Sequence, residues 1–336
     1  MRKANSRRLI LESLESRAML AGNVTVSVTD GVLHVQGDAL SNDIDIQQSG
    51  AVSAQGLRVE ISGRYAGGQL TTTINGEDSV TVEGITQGAV IGLGNGDNYL
   101  RIGQTAGTDG GRRPVHFPGR VTICASSGRD RIMLSIYNNT RVTVNAGAGD
   151  DIVNLVKSRL YNVFINTDPP AVAGRDPVGG NDNVWMRSIS TRGKVVVNSG
   201  IGNDEFLADR DNTGFWGSVD LDLGDGNDAA TFGIGVNLNG STTVQTGSGG
   251  DSFATAANIR GSFVATLGSG SDLLYCRGFS TTVLDITLDD GNDNAIVFSE
   301  LLAGLKLDGG VGTDRLTQHS SNPDGEESFT RFEGSE

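Results

Sequence analysis

One short pattern recurs along most of the chain and limits what it can fold into: Gly, any residue, Asp, any residue, an apolar residue. With the acid as anchor, it occurs at Asp130, Asp151, Asp182, Asp204, Asp228, Asp251, Asp272, Asp293 and Asp314, and Asn98 fills the same place in an earlier copy. A Gly stands two residues before each anchor. The last seven anchors lie 22, 24, 23, 21, 21 and 21 residues apart. Two wider gaps, of 32 and 31 residues, contain insertions at 107–114 and 168–177. Repetition at a fixed period of this length marks a solenoid.

Within a repeat the pattern reads strand, bend, strand, turn. Apolar or small residues fall two and four places after the anchor, as in Val153 and Leu155, Val184 and Met186, Leu274 and Cys276, Ala295 and Val297. A second alternating run precedes the next Gly turn: Val219, Leu221, Leu223; Phe263, Ala265, Leu267; Leu284, Ile286, Leu288. Alternation bounded by Gly and Asp is strand and turn, and no helix-length periodicity lies between. A unit this short buries nothing alone, so copies must stack and share one narrow core. The expectation is an all-β, right-handed parallel β-helix of about ten rungs. At about 4.8 Å per rung it would be a rod on the order of 45 to 50 Å long.

The expected organisation is an export or sorting segment at 1–22, a cap with irregular first rungs at 23–90, β-helix repeats at 91–318 and a polar tail or cap at 319–336. In the cap, Val24 to Val28 and Val32 to Val35 flank Asp30-Gly31, which reads as a hairpin. The stretch from Gly37 to Ile44 is a degenerate first copy of the repeat.

Charge narrows function. There are 40 acids against 26 bases, a formal net charge of −14, and 29 of the acids are Asp. Such a polyanion repels DNA, RNA and anionic lipid, so no nucleic-acid partner is expected. No apolar run is long enough to span a membrane. The composition does suit a divalent-cation binder. Cys124 and Cys276 lie on rungs too far apart for a disulfide. Cys276 should face inward.

Two resemblances follow from these residues. Leu14-Glu15-Ser16-Arg17-Ala18-Met19-Leu20-Ala21 resembles the LEPR-XLL N-terminal domain of bacterial envelope and secreted proteins, with Ser16 where that family has Pro. It implies export to the cell surface or medium. The Gly-Asp turns resemble the hemolysin-type (RTX) calcium repeat. The best matches are Gly309-Gly310-Val311-Gly312-Thr313-Asp314 and Gly147-Ala148-Gly149-Asp150-Asp151, followed by Gly224-Asp225-Gly226-Asn227-Asp228. This resemblance implies calcium held by Asp151, Asp204, Asp228, Asp251, Asp272, Asp293 and Asp314, with Gly147, Gly224 and Gly310 shaping the turns. Calcium takes six to eight oxygens, and a turn on one rung plus the next would complete such a shell. The sequence departs from that family by carrying one turn per 21 or more residues rather than one per nine. The competing reading needs no metal: an Asp after Gly-x accepts backbone N–H bonds within the turn, as Asn98 can.

Other constellations are weaker. Asp209-Arg210-Asp211-Asn212-Thr213-Gly214, with Asp220 further on, echoes an EF-hand loop, but no helix flanks it. Asp220 with Asp222, or Asp289 with Asp290, offers paired carboxylates for glycoside hydrolysis. On a chain this rich in Asp, pairs arise by geometry alone. His34, His116 and His319 are too scattered to share a site. The expected function is an exported scaffold, calcium-stabilised, of envelope, matrix or adhesion, with envelope polysaccharide or other surface proteins as partners and no enzymatic activity. The alternatives are a polysaccharide lyase or hydrolase, and a metal-free structural β-helix.

Overall fold

The computed structural model describes residues 22–66, 69–103, 114–138, 140–169, 179–210, 213–298, 302–320 and 326–332. The expected sorting segment except Gly22, both insertions for the most part, residues 211–212 of the EF-hand-like loop and much of the tail lie outside them. Every regular element among the described residues is a strand. Two long sheets, of 14 and 13 strands, run from the cap to the last rungs, and a narrow one of eight lies beside them from Val115–Phe117 to Phe279–Ser280.

The chain coils through them in a fixed order. A strand of the first sheet, such as Val219–Asp225, leads into the Gly-Asp turn. The anchor Asp228 then opens a strand of the second sheet, Ala229–Phe232. A corner leads to a two-residue strand of the narrow sheet, Asn237–Leu238, before the path returns to the first sheet at Thr242–Gln245. Each strand pairs in parallel with its counterparts one rung away, for example Phe206 with Ala230 and Ala230 with Phe253. This is the expected parallel β-helix.

The inward rows match the alternation. Val153, Leu155, Val184, Met186, Leu274, Cys276, Ala295 and Val297 are all buried, as are Val219, Leu221 and Leu223 and their equivalents above. In the middle rungs the core is aromatic. Phe206 and Phe232 lie 5.4 Å apart, Phe232 and Phe253 6.4 Å, and Phe253 stacks on Phe263 at 5.9 Å. Stacking like on like along the axis lets five fully buried Phe rings, with Phe215, fill a section otherwise built from Val, Leu and Ala. Each buried ring contributes about 1.5–3 kcal/mol over leaving it in water.

The cap begins with the hairpin. Gly22–Thr29 pairs antiparallel with Val32–Gln36, and Asp30 and Gly31 have φ of 51° and 75°, as a tight primed turn requires. Val32–Gln36 then pairs in parallel with Gly88–Asn95, so the cap feeds straight into the solenoid. At the far end Glu326–Thr330 adds to Gly304–Asp308.

Candidate functional site

The Gly-x-Asp turns form one continuous edge. Each anchor is buried, and its Oδ1 accepts the backbone N–H of the anchor one rung before it. Asn98 N–H donates to Asp130 at 2.8 Å, Asp130 to Asp151 at 2.7 Å, Asp151 to Asp182 at 2.7 Å and Asp182 to Asp204 at 2.7 Å. The series continues through Asp228, Asp251, Asp272 and Asp293 and ends on Asp314, the last bond being 2.9 Å. At the other end, Asn42 N–H donates to Asn98 Oδ1 at 2.9 Å, which makes Asn42 the anchor of the degenerate first copy.

A second ladder runs outside the first and in the opposite sense. Where the residue before an anchor is Asp or Asn, its side-chain oxygen accepts the equivalent N–H of the rung after it. Asn181 Oδ1 takes Asn203 N–H at 2.7 Å, Asn203 takes Asn227 at 2.8 Å and Asn227 takes Gly250 at 2.7 Å. Reading from the sequence missed this ladder. Its signal is the Asn repeated in Gly-Asn-Asp at 180–182, 202–204, 226–228 and 291–293.

Glycine is required here by close approach. Gly226 has φ of 148°, and a Cβ on it would sit 1.5 Å from the carbonyl oxygen of Gly202. The carbonyls of this inner glycine column therefore face the Cα of the next rung. The outer glycine carbonyls accept N–H bonds, as Gly224 does from Ser248 at 3.2 Å.

The electrostatics follow from enclosure. The Oδ2 atoms of Asp130, Asp151, Asp182, Asp204, Asp228, Asp251, Asp272, Asp293 and Asp314 are buried with no hydrogen-bond partner. Burial pushes the carboxyl of Asp151 up to about 8 and that of Asp204 to about 8, against the bond each receives from the preceding anchor. Asp228 and Asp272 rise to about 7, and Asp130, Asp182 and Asp293 to about 6, again chiefly by burial. Neighbouring carboxylates add to the rise at Asp151, Asp204, Asp228 and Asp272.

This geometry bears on calcium. The structure brings Asp151, Asp204, Asp228, Asp251, Asp272, Asp293 and Asp314 onto one edge, with Gly147, Gly224 and Gly310 all in the positive-φ turn geometry. Yet each anchor has one carboxylate oxygen engaged and the other enclosed, and the glycine carbonyls face the next rung rather than a shared point. Calcium needs six to eight oxygens. The donor set does not fit such a shell, and among the described residues no group of three or more His, Cys, Asp or Glu side chains is placed to hold a metal.

The remaining candidates are engaged elsewhere or apart. Asp209 pairs with Arg187 at 3.2 Å, and Asp220 pairs with Lys194 at 2.5 Å. Asp222 is exposed two residues further along the same strand, and Asp289 sits in a turn with φ of 69° beside exposed Asp290. His34 lies in the cap hairpin, His116 stacks on Tyr137 at 4.8 Å and His319 on Phe298 at 4.6 Å. Both cysteines are free.

Comparison with known proteins gives one match. The family model described as "Planctomycete extracellular" covers residues 5–24. No curated protein and no solved structure matches. The match is to an extracellular family of bacterial proteins and fits an exported β-helix. No helix among the described residues is long and apolar enough to cross a membrane.

Proposed function

We propose that this chain is an exported structural β-helix, a metal-free scaffold of the bacterial envelope or extracellular matrix, with residues 1–22 as its sorting segment. The observation that carries the proposal is the ladder from Asn42 to Asp314, in which every anchor from Asn98 onward spends an oxygen on the backbone of its neighbour. In this reading the likeness to the hemolysin-type repeat is one of turn chemistry, and the carboxylates serve the fold rather than a reaction or an ion. The test is thermal unfolding in millimolar calcium and in chelator. Superimposable curves are expected. A site that bound only the folded chain would raise stability by about 2.7 kcal/mol at a hundred times its dissociation constant. A rise of several degrees in calcium would replace this reading with a calcium-stabilised scaffold.

A further inference from the structure

The acidic chain carries a cationic cleft on the narrow sheet. It encloses about 790 Å³, within the range of ligand sites, and its lining includes Lys157, Arg159 and Arg192 but no Asp or Glu. All three cations are exposed, and none of them forms an ion pair among the described residues. The neighbouring acids Asp209 and Asp220 are neutralised by Arg187 and Lys194.

Tyr137 and Tyr161 line the cleft, and Trp216 stands beside it, one rung beyond Arg192. Tyr137 pairs with Arg159 across the narrow sheet, and the guanidinium lies 5.5 Å from its ring. Leu160, Thr191 and Phe215 are in register on successive rungs, so the residues after them, Tyr161, Arg192 and Trp216, form the next outward column. Backbone bonds from Arg192 to Leu160 and from Trp216 to Thr191 fix that column. Tyr161 is 47% exposed and Trp216 63%. A cation set between two exposed rings, one rung from each, gains nothing for the core.

The corner beside the cleft is strained. Val156, Arg187 and Asp209 are in register, and the residues after them, Lys157, Ser188 and Arg210, have φ of 49°, 54° and 74°. Gly would take these positions without cost, whereas other residues there are held against about 1–3 kcal/mol each, a feature that gathers at functional sites. Two of the three carry a cation.

We infer that this cleft binds an acidic polysaccharide, one whose sugars carry carboxylates or sulfate esters. Arg159 and Arg192 would grip the anionic groups through the planar guanidinium fork, which suits them better than a point charge does. Tyr161 and Trp216 would stack on the apolar faces of the sugar rings. A nucleic acid and an acidic polysaccharide both meet the chain's overall negative field, but a polysaccharide adds stacking of its sugar faces on the exposed rings, which a base-paired duplex does not offer.

The full chain is titrated with polygalacturonate, dextran sulfate and uncharged dextran, at low and at high salt, by affinity electrophoresis. Binding of one or both charged polymers is expected, with none to dextran, and which polymer binds tells carboxylate from sulfate. The double variant R159Q/R192Q should lose about tenfold or more in affinity, because each guanidinium supplies charge-assisted bonds. W216A should weaken binding, R315Q in the last strand of the second sheet should not, and melting curves should match the parent. The inference is overturned if neither charged polymer binds at low salt, if R159Q/R192Q binds as the parent does, or if duplex DNA binds as tightly as the polysaccharide. Such a failure leaves the scaffold reading intact, since that rests on the unfolding curves.

Discussion

Replacing Asp204 by Asn tests the ladder at a single rung. Asp204 is 2% exposed, receives the Asp182 N–H on Oδ1 at 2.7 Å and leaves Oδ2 without a partner. Burial first, and the Asp182 and Asp228 carboxylates after it, raise its pKa from 3.8 to about 8. A carboxyl whose folded pKa is raised holds a proton that the unfolded chain gives up above pH 3.8. Its contribution to stability therefore falls as pH rises from about 4 to about 8 and is level beyond. At about 1.4 kcal/mol per pH unit, the loss is on the order of 2 kcal/mol by pH 5 and on the order of 5 kcal/mol by pH 8. Asn keeps the acceptor oxygen and cannot ionise. It also places an N–H₂ where Oδ2 stands idle, and Asn98 shows that this fits, since its Nδ2 donates to Gly96 at 2.8 Å. The equivalent carbonyl for Asp204→Asn is Gly202. Denaturant unfolding at pH 5, 6.5 and 8 should show the variant more stable throughout, by about 1–2 kcal/mol at pH 5 and about 4–5 kcal/mol at pH 8. A variant no more stable than the parent at pH 8, or a gain that does not grow with pH, would refute the reasoning.

Other perturbations probe other parts of the fold. Phe253→Ala removes a ring packed between Phe232 and Phe263 and should cost about 3–5 kcal/mol in unfolding experiments. Gly226→Ala puts a methyl onto the Gly202 carbonyl at a positive φ and should cost about 2–5 kcal/mol, read the same way. The Cys276 thiol is fully buried and pushed up to about 12, so a thiol reagent at pH 8 should label it only in denaturant, as mass spectrometry would show. Half-buried Cys124 should be labelled in the native protein.

The fold was legible because its signal repeats. Val153 and Leu155, or Leu284 and Ile286, read as inward positions from alternation alone, and the Gly two places before every anchor gave the turn. The narrow sheet was not legible, because strands such as Ser190–Thr191 hold one inward and one outward residue, too few to show a period. Anchor spacing predicted a column of carboxylates on one edge. It could not say that Oδ1 would bridge to the next backbone and leave Oδ2 enclosed, since that depends on how the turn tilts the side chain. The cationic cleft was invisible for a related reason. Tyr137, Arg159, Arg192 and Trp216 come from four successive rungs, and the insertion at 168–177 hides their register.

The ladder and the cleft are coupled through charge. The formal −14 counts every acid as ionised. Asp151 and Asp204, with pKa near 8, and Asp228 and Asp272, near 7, hold protons for much of the time at neutral pH, so the chain is less negative than its composition implies. These acids stand in the stacked column, each beside another carboxylate, so protonation removes repulsion along the edge and weakens the field that a polyanion meets. Raising the pH through 7 to 8 strips those protons, loosens the ladder and strengthens that field. Stability and polysaccharide affinity should therefore decline together over this range. In a variant carrying Asn at Asp151, Asp204, Asp228 and Asp272, both should become nearly level across it.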